Sequence, residues 1–555
     1  MPDGTHVAVR SANLLDDLEH RLREVDDQAF ALAPVLQPGA GPDVLVAVRN
    51  QGRFPLLETR LSAQLEVSCE ALPDGRLSIR FDDEEIARAG TELEGGEPAC
   101  MATDDLLAGL PYIVDYCDPN ATKALHVGHL RNIALGHAVA ATLEAAGADV
   151  QRQSQIADAG RSMGEAVAGY VRYGENASPA SAGEKSDRFV GRLYARYVRE
   201  LEATAAGVDP GDAPVAHDLD ERDDLARRLL MRWEHGEPEE LALWRTVRDW
   251  AVAGQDETLA RLGVRFERPI YDSDSVPEIE PLLAFGLERG ILRRGEHGGI
   301  VYETGHEAYP RLPLTRGDGL PTQNLRVVAI WSSLMREVPG VTLIHFSGDE
   351  WRTHRLHVEE LLRKLHPEQE IYPTRYPMHG MVSVAGRVMS SSSGEALLID
   401  DLLDELLASD ELHAAVPAGC ERCRPDQLAA ITLLGLCLDR PMAKPLVVDP
   451  ARLLETRTSA GWRLAQAWAR AWDPANDGPP DPAPEDPGYR YLVMRTQFYR
   501  RLLADTVERN DVFTLLRYLA HVAAWYLGGR HHPRVGRAMR STLDTGLTAL
   551  GLIER

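Results

Sequence analysis

The sequence offers no uninterrupted run of about 18 apolar residues, the length a helix needs to cross a bilayer. Its first segment, MPDGTHVAVRSANLLDDLEHRLRE, is polar and charged and lacks the apolar stretch of an export signal. Together these absences predict a soluble, cytoplasmic chain with no membrane partner. Cysteine is also scarce: six residues (Cys69, Cys100, Cys117, Cys420, Cys423, Cys437) in 555 are too few for a disulfide framework. Cys420 and Cys423 form one CERC, but a structural zinc wants four ligands and no second pair accompanies it, so the expectation is two free thiols and no metal. Positive charge falls short as well. Sixty Lys and Arg against 85 Asp and Glu leave a net −25, which excludes a general nucleic-acid coat.

That shortage is uneven. From Arg490 to Arg555 there are 11 arginines, no lysine and 5 acids, a local excess of 11 − 5 = +6. A basic module on an acidic body suits docking of a polyanion at one end, and equally suits a solvated, arginine-rich helix face. At 555 residues the chain also exceeds one ordinary domain. Residues 1 to about 100 mix a helical pattern (LLDDLEHRLREV) with strand-like pieces (DVLVAVRN, RLSIRF) and read as a small α+β unit. GLPYIVDYC then reads as a strand ending at Asp118-Pro119. VGHLRNIALGHAVAATLEAAGADV follows as a helix stopping at Gly147, the opening of a parallel α/β unit. From about Tyr170 to Trp250 the text is charged and helical, as an insertion would be. VTLIHF (341–346) and HGMVSV (379–384) are expected to supply the other half of a doubly wound sheet. Helical text resumes near Asp400 and is broken over 473–489, where six prolines in seventeen residues mark a stiff linker.

The stretch DYCDPNATKALHVGHLRN (115–132) carries the chemistry. His126 and His129 stand where strand gives way to helix, so their side chains and the first free helix N–H groups can face one anion, and a triphosphate fits. Gly128 between them would let phosphates approach the backbone. Two histidines at a helix start are weak evidence alone, since capping or surface residues have the same look.

The wider stretch closely resembles the HIGH signature of class I aminoacyl-tRNA synthetases in its arginyl form, with a Pro-Asn and a lysine three residues before the first histidine. The resemblance continues in order through SQIADAGRSMG (154–164), which keeps Asp158, Gly160 and Gly164 of the family stretch. LWRTVRDW…LARLGVRFE (243–267), FSGDEWRTH (346–354), HGMV (379–382) and DDLLDE (400–405) follow, then C-terminal helices resembling a DALR-type anticodon-binding domain. It covers about residue 105 to the C-terminus. The implied fold is an α/β Rossmann-type catalytic domain around a parallel sheet, with an N-terminal α+β domain and an all-α C-terminal domain. The implied boundaries are 1–100, 101–405 with a helical insertion at about 170–300, a helical stem at 406–472, a linker at 473–488 and DALR-type helices at 489–555.

The resemblance implies amino-acid activation by ATP, with Mg2+, through an aminoacyl-adenylate that tRNA then attacks, the tRNA docking through the C-terminal domain. It assigns catalysis to His126, His129 and Lys123. ATP binding falls to Gly128, His126, His129, Met381, Val382, Arg387, Met389, Ser390 and Ser391. The last of these belong to GRVMSSSSGE (386–395), where Val388 stands at the place of the first lysine of a KMSKS-type loop; some arginyl enzymes lack that lysine, and Lys123 is then the substitute. Amino-acid binding falls to Asp115, Asp118, Asn120, Gln323, Val327 and Trp351. Here the sequence departs from the family. Gln323 and Val327 stand where arginyl enzymes carry a tyrosine and an aspartate, and Trp351 is expected to form a large apolar wall. Valine cannot pair a guanidinium, so arginine stays open as the amino acid unless an acid elsewhere, such as Asp349 or Glu350, supplies the contact. Three readings stand: an arginine–tRNA ligase, a paralog passing another amino acid to tRNA or to a small-molecule or peptide amine, and a non-catalytic tRNA binder. The complete set His126, Gly128, His129, Asn120 and Lys123 speaks against the third.

Overall fold

The computed structural model describes residues 13–25, 30–34, 42–48, 54–65, 67–96, 98–206, 224–295, 298–307, 309–337, 340–368, 374–384, 387–388, 396–477, 486–529 and 531–554. No helix among them is long and apolar enough to cross a membrane.

The first hundred residues form a four-stranded antiparallel sheet in the order Phe30–Pro34, Val44–Val48, Arg76–Phe81, Val67–Ala71. The segment RLSIRF alternates strictly, with Leu77, Ile79 and Phe81 turned inward, as one buried sheet face requires. Helices Leu14–Val25, Phe54–Gln64 and Asp83–Glu94 complete the unit.

The central sheet is five-stranded and parallel: β1 (Pro111–Asp115), β2 (Asp149–Ile156), β3 (Arg268–Tyr271), β4 (Thr342–His345) and β5 (Thr374–Arg375), in the spatial order β5-β4-β1-β2-β3. The chain leaves β1 toward β2 and β3, then returns on the other side to β4. That reversal opens a crevice at the carboxyl ends of β1 and β4, the usual ligand position in an open α/β sheet. Register pairs Asp115 with His345 at its lip. Helix α1 (Val127–Ala145) follows β1 and ends at Ala146, with Gly147 at φ 88°. It is apolar on nearly all sides because it is buried on nearly all sides, between the sheet and a helix at Pro425–Leu438.

Between β2 and β3 lies a helical layer with its own core around Phe189, Trp233 and Trp244, ending in α2 (Pro238–Arg261). Helix α3 (Gln323–Glu337) roofs the crevice, and α4 (Arg352–Leu365) follows β4. One expectation fails. HGMVSV does not join the central sheet: Met378–His379 pairs with Ser347–Gly348, and Val382–Val384 pairs with Leu446–Val448. The segment is too short and too broken at Gly380, whose N–H bonds Met442, to make a sheet strand.

The C-terminal part is all helix: Ala460–Ala471, Pro487–Thr496, Tyr499–Arg509, Phe513–Leu527 and Pro533–Ala549. In the proline-rich stretch Pro474–Asp477 forms a 3-10 turn, residues 478–485 lie outside the described residues, and Asp486 caps the next helix. The basic tail is not an open cationic face. Among the described residues, seven of its arginines pair with carboxylates of this chain: Arg490 with Asp43 and Asp83, Arg500 with Asp105, Arg501 with Asp16 and Glu19, Arg517 with Asp439, Arg534 and Arg537 with Glu94, and Arg540 with Asp477. Five of those arginines reach the N-terminal unit or the lead-in to β1, so much of the local charge excess is an internal seam.

Candidate active site

The loop after β1 is held under tension. Cys117 (φ 81°) and Asp118 (φ 44°) are consecutive non-glycine residues in the left-handed region, a conformation that costs about 1–3 kcal/mol per residue and collects at functional sites. What holds it is Asn132 on α1, whose Oδ1 accepts from the Cys117 N–H (2.6 Å) while its Nδ2 donates to the Phe346 carbonyl beyond β4 (3.0 Å). One amide thus ties together the loops on both sides of the crevice. Farther along, Ala121 N–H and Ala157 N–H exchange bonds with Ala157 and Pro119 carbonyls (3.0 and 2.9 Å). Gln255 of α2 donates from Nε2 to the carbonyls of Asn120 and Lys123 (both 2.8 Å).

The two histidines are fixed by the helix start itself. His126 is the N-cap of α1, its Nδ1 accepting from the Gly128 N–H (3.0 Å), and His129 Nδ1 accepts from the His126 N–H (3.2 Å). A ring nitrogen that accepts from backbone leaves the proton of the neutral imidazole on Nε2. Burial, then the nearby Lys123 charge, pulls His126 down to about 4; burial drives His129 well below the ordinary histidine range, with His126 and Lys123 adding to it. At neutral pH the pair is therefore two uncharged Nε2–H donors, with ring centroids 4.0 Å apart. Gly128 has a role the sequence did not suggest: a Cβ there would stand 2.7 Å from His126 Cε1 and 2.8 Å from Nδ1. Gly128→Ala is expected to keep the fold, since alanine favours a helix, yet displace the His126 ring. A drop of about 10- to 100-fold in any phosphate chemistry at this helix start, with an unchanged thermal midpoint, is the expected measurement.

Lys123 is largely buried, and that burial pulls its ammonium down to about 8. Residues 397–399, just past the second signature, bond to the turn that carries His126. Val127 N–H donates to Leu397 O (3.0 Å) and Ile399 N–H to Leu125 O (3.1 Å), bridging His126 and Leu398. Upstream, Met381 is exposed and Val382 is buried, while Arg387 and Val388 pair back onto Ser383–Val384. Met389, Ser390 and Ser391 lie outside the described residues.

On the amino-acid side, Asp115 is fully buried. Its Oδ2 accepts from Gln153 Nε2 (3.2 Å) and stands 3.1 Å from His345 Nδ1, and burial raises the carboxyl to about 7. Asp118 is raised to about 6 by burial and by Asp115, and its Oδ2 lies 3.6 Å from His345 Nε2 and 4.0 Å from Arg355 Nη2. Asn120 sits where its segment bridges to Ala157. Val327 is sealed in an apolar core with Trp331 and Leu343, and Gln323 is exposed at the start of α3. Trp351 does not form the expected wall: it is 46% exposed on a short turn, edge-on to His354. Asp349 sits on that turn with its side chain 64% exposed, ion-paired to Arg352, and Glu350 is exposed as well, so neither is the missing acid.

The sequence reading missed Asp272, one residue past the carboxyl end of β3. It is fully buried, accepts from Gln155 Nε2 (2.9 Å), is raised to about 6 by burial, and is eased down by Gln323 and Arg326 nearby. The available signal was the acid after a strand-like RPIY, the position where parallel strands present ligand contacts. Asp158 anchors the neighbouring residue: its carboxylate accepts from the N–H and Oγ of Ser273 (2.8 and 2.7 Å), which follows Asp272. Also missed was Arg355 in the first turn of α4, whose guanidinium lies 5.5 Å from the Trp331 ring.

Comparison with known proteins follows the same order of parts. The family model described as "tRNA synthetases class I (R), catalytic domain" matches residues 110–413. Arginine–tRNA ligases of Bacteroides fragilis and Bacteroides thetaiotaomicron are each 30% identical over 372 residues, 64% of this chain and 61% of theirs. The chain thus spans about three fifths of the length of the curated relatives it matches. Among solved structures, Thermus thermophilus arginyl-tRNA synthetase superposes with a TM-score of 0.69 at 20% identity, covering 97% of this chain and 99% of that one. The Plasmodium falciparum arginyl-tRNA synthetase does so at 0.64 and 12% identity, with 97% of each covered. These two likenesses establish the fold, a parallel-sheet core with a helical C-terminal region. With its family model matched over more than half its length, the chain belongs to the class I tRNA synthetases of the arginyl type.

Proposed function

We propose that the protein activates an amino acid with ATP and passes it to tRNA. The observation that supports this reading is the pair of neutral histidines locked at the start of α1, with Leu397–Ile399 hydrogen-bonded to the same turn. In the first step a carboxylate oxygen of the amino acid attacks the α-phosphorus of ATP and the bond to pyrophosphate breaks. No proton need move, so what the protein contributes is donors placed where charge gathers. His126 and His129 donate to the phosphate oxygens through Nε2–H, Lys123 meets the charge of the outer phosphates, and Asn120 holds the α-amino end. Magnesium enters as the counter-ion of the nucleotide. In the second step a terminal tRNA hydroxyl attacks the adenylate carbonyl and AMP leaves. Transfer to tRNA, in the cytoplasm, is the reading that the relatives' name, arginine–tRNA ligase, supports.

The test is amino-acid-dependent ATP–pyrophosphate exchange over all twenty amino acids, with and without total tRNA. Exchange with none of them would sink the proposal. Lys123 adds a pH signature. Its charge is complete below about 8 and is lost above, so kcat/KM for ATP is expected to fall on the alkaline side near pH 8, and Lys123→Arg is expected to move that fall upward. No acid limb from His126 is expected above pH 5, because that ring stays neutral down to about 4.

A further inference from the structure

We propose that Lys185 and Gly191, at the head of helix Ser186–Ala206 in the layer between β2 and β3, are positioning residues for the activation step: they fix Lys123 and the segment 397–399 against the start of α1. The inference rests on the activation reading above and names the parts that hold its phosphate-binding side in place.

Lys185 is a cation ringed by acceptors from three elements. Its Nζ donates to Asp187 Oδ2 (3.0 Å), the Gly254 carbonyl (2.5 Å), Thr258 Oγ1 (2.7 Å) and Asp400 Oδ2 (2.8 Å). Both carboxylates are sealed from water, at 0% and 4% side-chain exposure, and they repel each other. The ammonium between them offsets that repulsion, so the three elements stay together only while it is in place. Each acceptor sits next to something the site uses. Gly254 and Thr258 flank Gln255 of α2, which donates to the carbonyls of Asn120 and Lys123. Asp400 is the second residue of helix Ile399–Leu407, whose first N–H donates to Leu125 O beside His126. From one point, Lys185 thus grips both segments that hold residues 120–125.

Gly191 makes the contact with Lys123 directly. A Cβ at this position would stand 3.3 Å from Lys123 Cα and 3.5 Å from its Cβ. The first distance is shorter than the separation of about 3.5–4.0 Å at which two carbons attract most. The backbone of helix Ser186–Ala206 therefore lies flat against Lys123. About one turn earlier the same helix meets α2 as closely, since a Cβ on Gly254 would come within 2.5 Å of Asp187. With one glycine contact against Lys123 and the other beside the Lys185 cation, any shift of this helix is passed to Lys123.

The experiment is pyrophosphate exchange by the full chain, in the presence of total tRNA, with the amino acid that the parent exchanges, for Gly191→Ala, Lys185→Met and Lys185→Arg. Gly191→Ala alters no charge and favours a helix, so its thermal midpoint is expected to hold. Its kcat/KM for ATP is expected to fall about 10- to 100-fold, the scale set by a misplacement of about 1 Å, with KM for the amino acid in place. The alkaline fall near pH 8 is expected to move upward in the same variant, because burial is what lowers Lys123 and a displaced side chain is less buried. His126 and His129, which feel the Lys123 charge, are neutral there and do not contribute. Lys185→Met is expected to lose kcat/KM for ATP to the same degree, with partial recovery in Lys185→Arg, which keeps a cation between Asp187 and Asp400. A merely structural helix would lower the thermal midpoint and leave kcat/KM for ATP and the alkaline limb of the folded enzyme at parent values. Such values in either Gly191→Ala or Lys185→Met overturn the inference and leave activation standing. Exchange by the parent with no amino acid overturns activation and this inference with it. If circular dichroism shows Lys185→Met unfolded, Lys185→Arg takes its place, since a planar fork cannot bring four acceptors to one nitrogen, and a parent-like kcat/KM for ATP there overturns the inference.

Discussion

Replacing His126 and His129 together by alanine is expected to lower amino-acid-dependent ATP–pyrophosphate exchange by about three orders of magnitude, the scale on which pre-placed transition-state donors act. The fold should survive. His126 does cap α1 through its Nδ1, and loss of a cap costs about 0.5–2 kcal/mol, but α1 is buried along its length and does not depend on its first turn. The single replacements should differ in kind. His129→Ala removes a donor and the acceptor for the His126 N–H, whereas His126→Ala also frees the Gly128 N–H to meet the phosphates directly, so part of its loss is repaired. A double variant exchanging at the parent rate, with an unchanged circular dichroism spectrum, would refute the site.

Arg490→Met is expected to destabilise the protein by about 3–5 kcal/mol, the cost of leaving a buried partner charge uncompensated. The guanidinium donates from Nε and Nη2 to the two oxygens of Asp43 (2.7 and 2.6 Å), from Nη1 to Asp83 (2.7 Å), and to the Phe81 carbonyl. Asp43 also accepts from the Phe81 N–H (2.9 Å). Both side chains of the central pair are deeply buried, at 4% and 5% exposure. Urea denaturation gives the stability, and a second replacement, Asp43→Asn, added to Arg490→Met should recover part of it, because it removes the stranded charge. A loss below about 1 kcal/mol, the range of exposed pairs, would mean that water reaches this seam.

These two effects also mark what could be read from the sequence. The strand, loop and helix around 111–145 were legible because apolar runs, a proline stop and a glycine end are local signals, and the family resemblance at 115–132 rests on contiguous residues. Asp272 and Arg355 were not legible. Each reaches the crevice from a different strand or helix, and a lone acid or arginine carries no spacing that announces a distant partner. Trp351 was misjudged because a large aromatic suggests burial, while the short turn that carries it points outward. The tail misled in the opposite way. Its composition shows positive charge, but only the tertiary fold shows that Arg490, Arg534 and Arg537 are answered by Asp43, Asp83 and Glu94.

That seam bears on how the molecule is made. Asp43 and Arg490 are 447 positions apart, and Asn13 bonds Gln497 across a similar span. During synthesis at about 5–20 residues per second, the N-terminal sheet leaves the ribosome tens of seconds before its ionic partners exist. Until then Asp43 has no counter-charge and the face that will meet helix Pro487–Thr496 is wet. This unit, translated well before helix Pro487–Thr496, is thus among the last to reach its final stability, and a chaperone that shelters nascent chains would have its longest work on it.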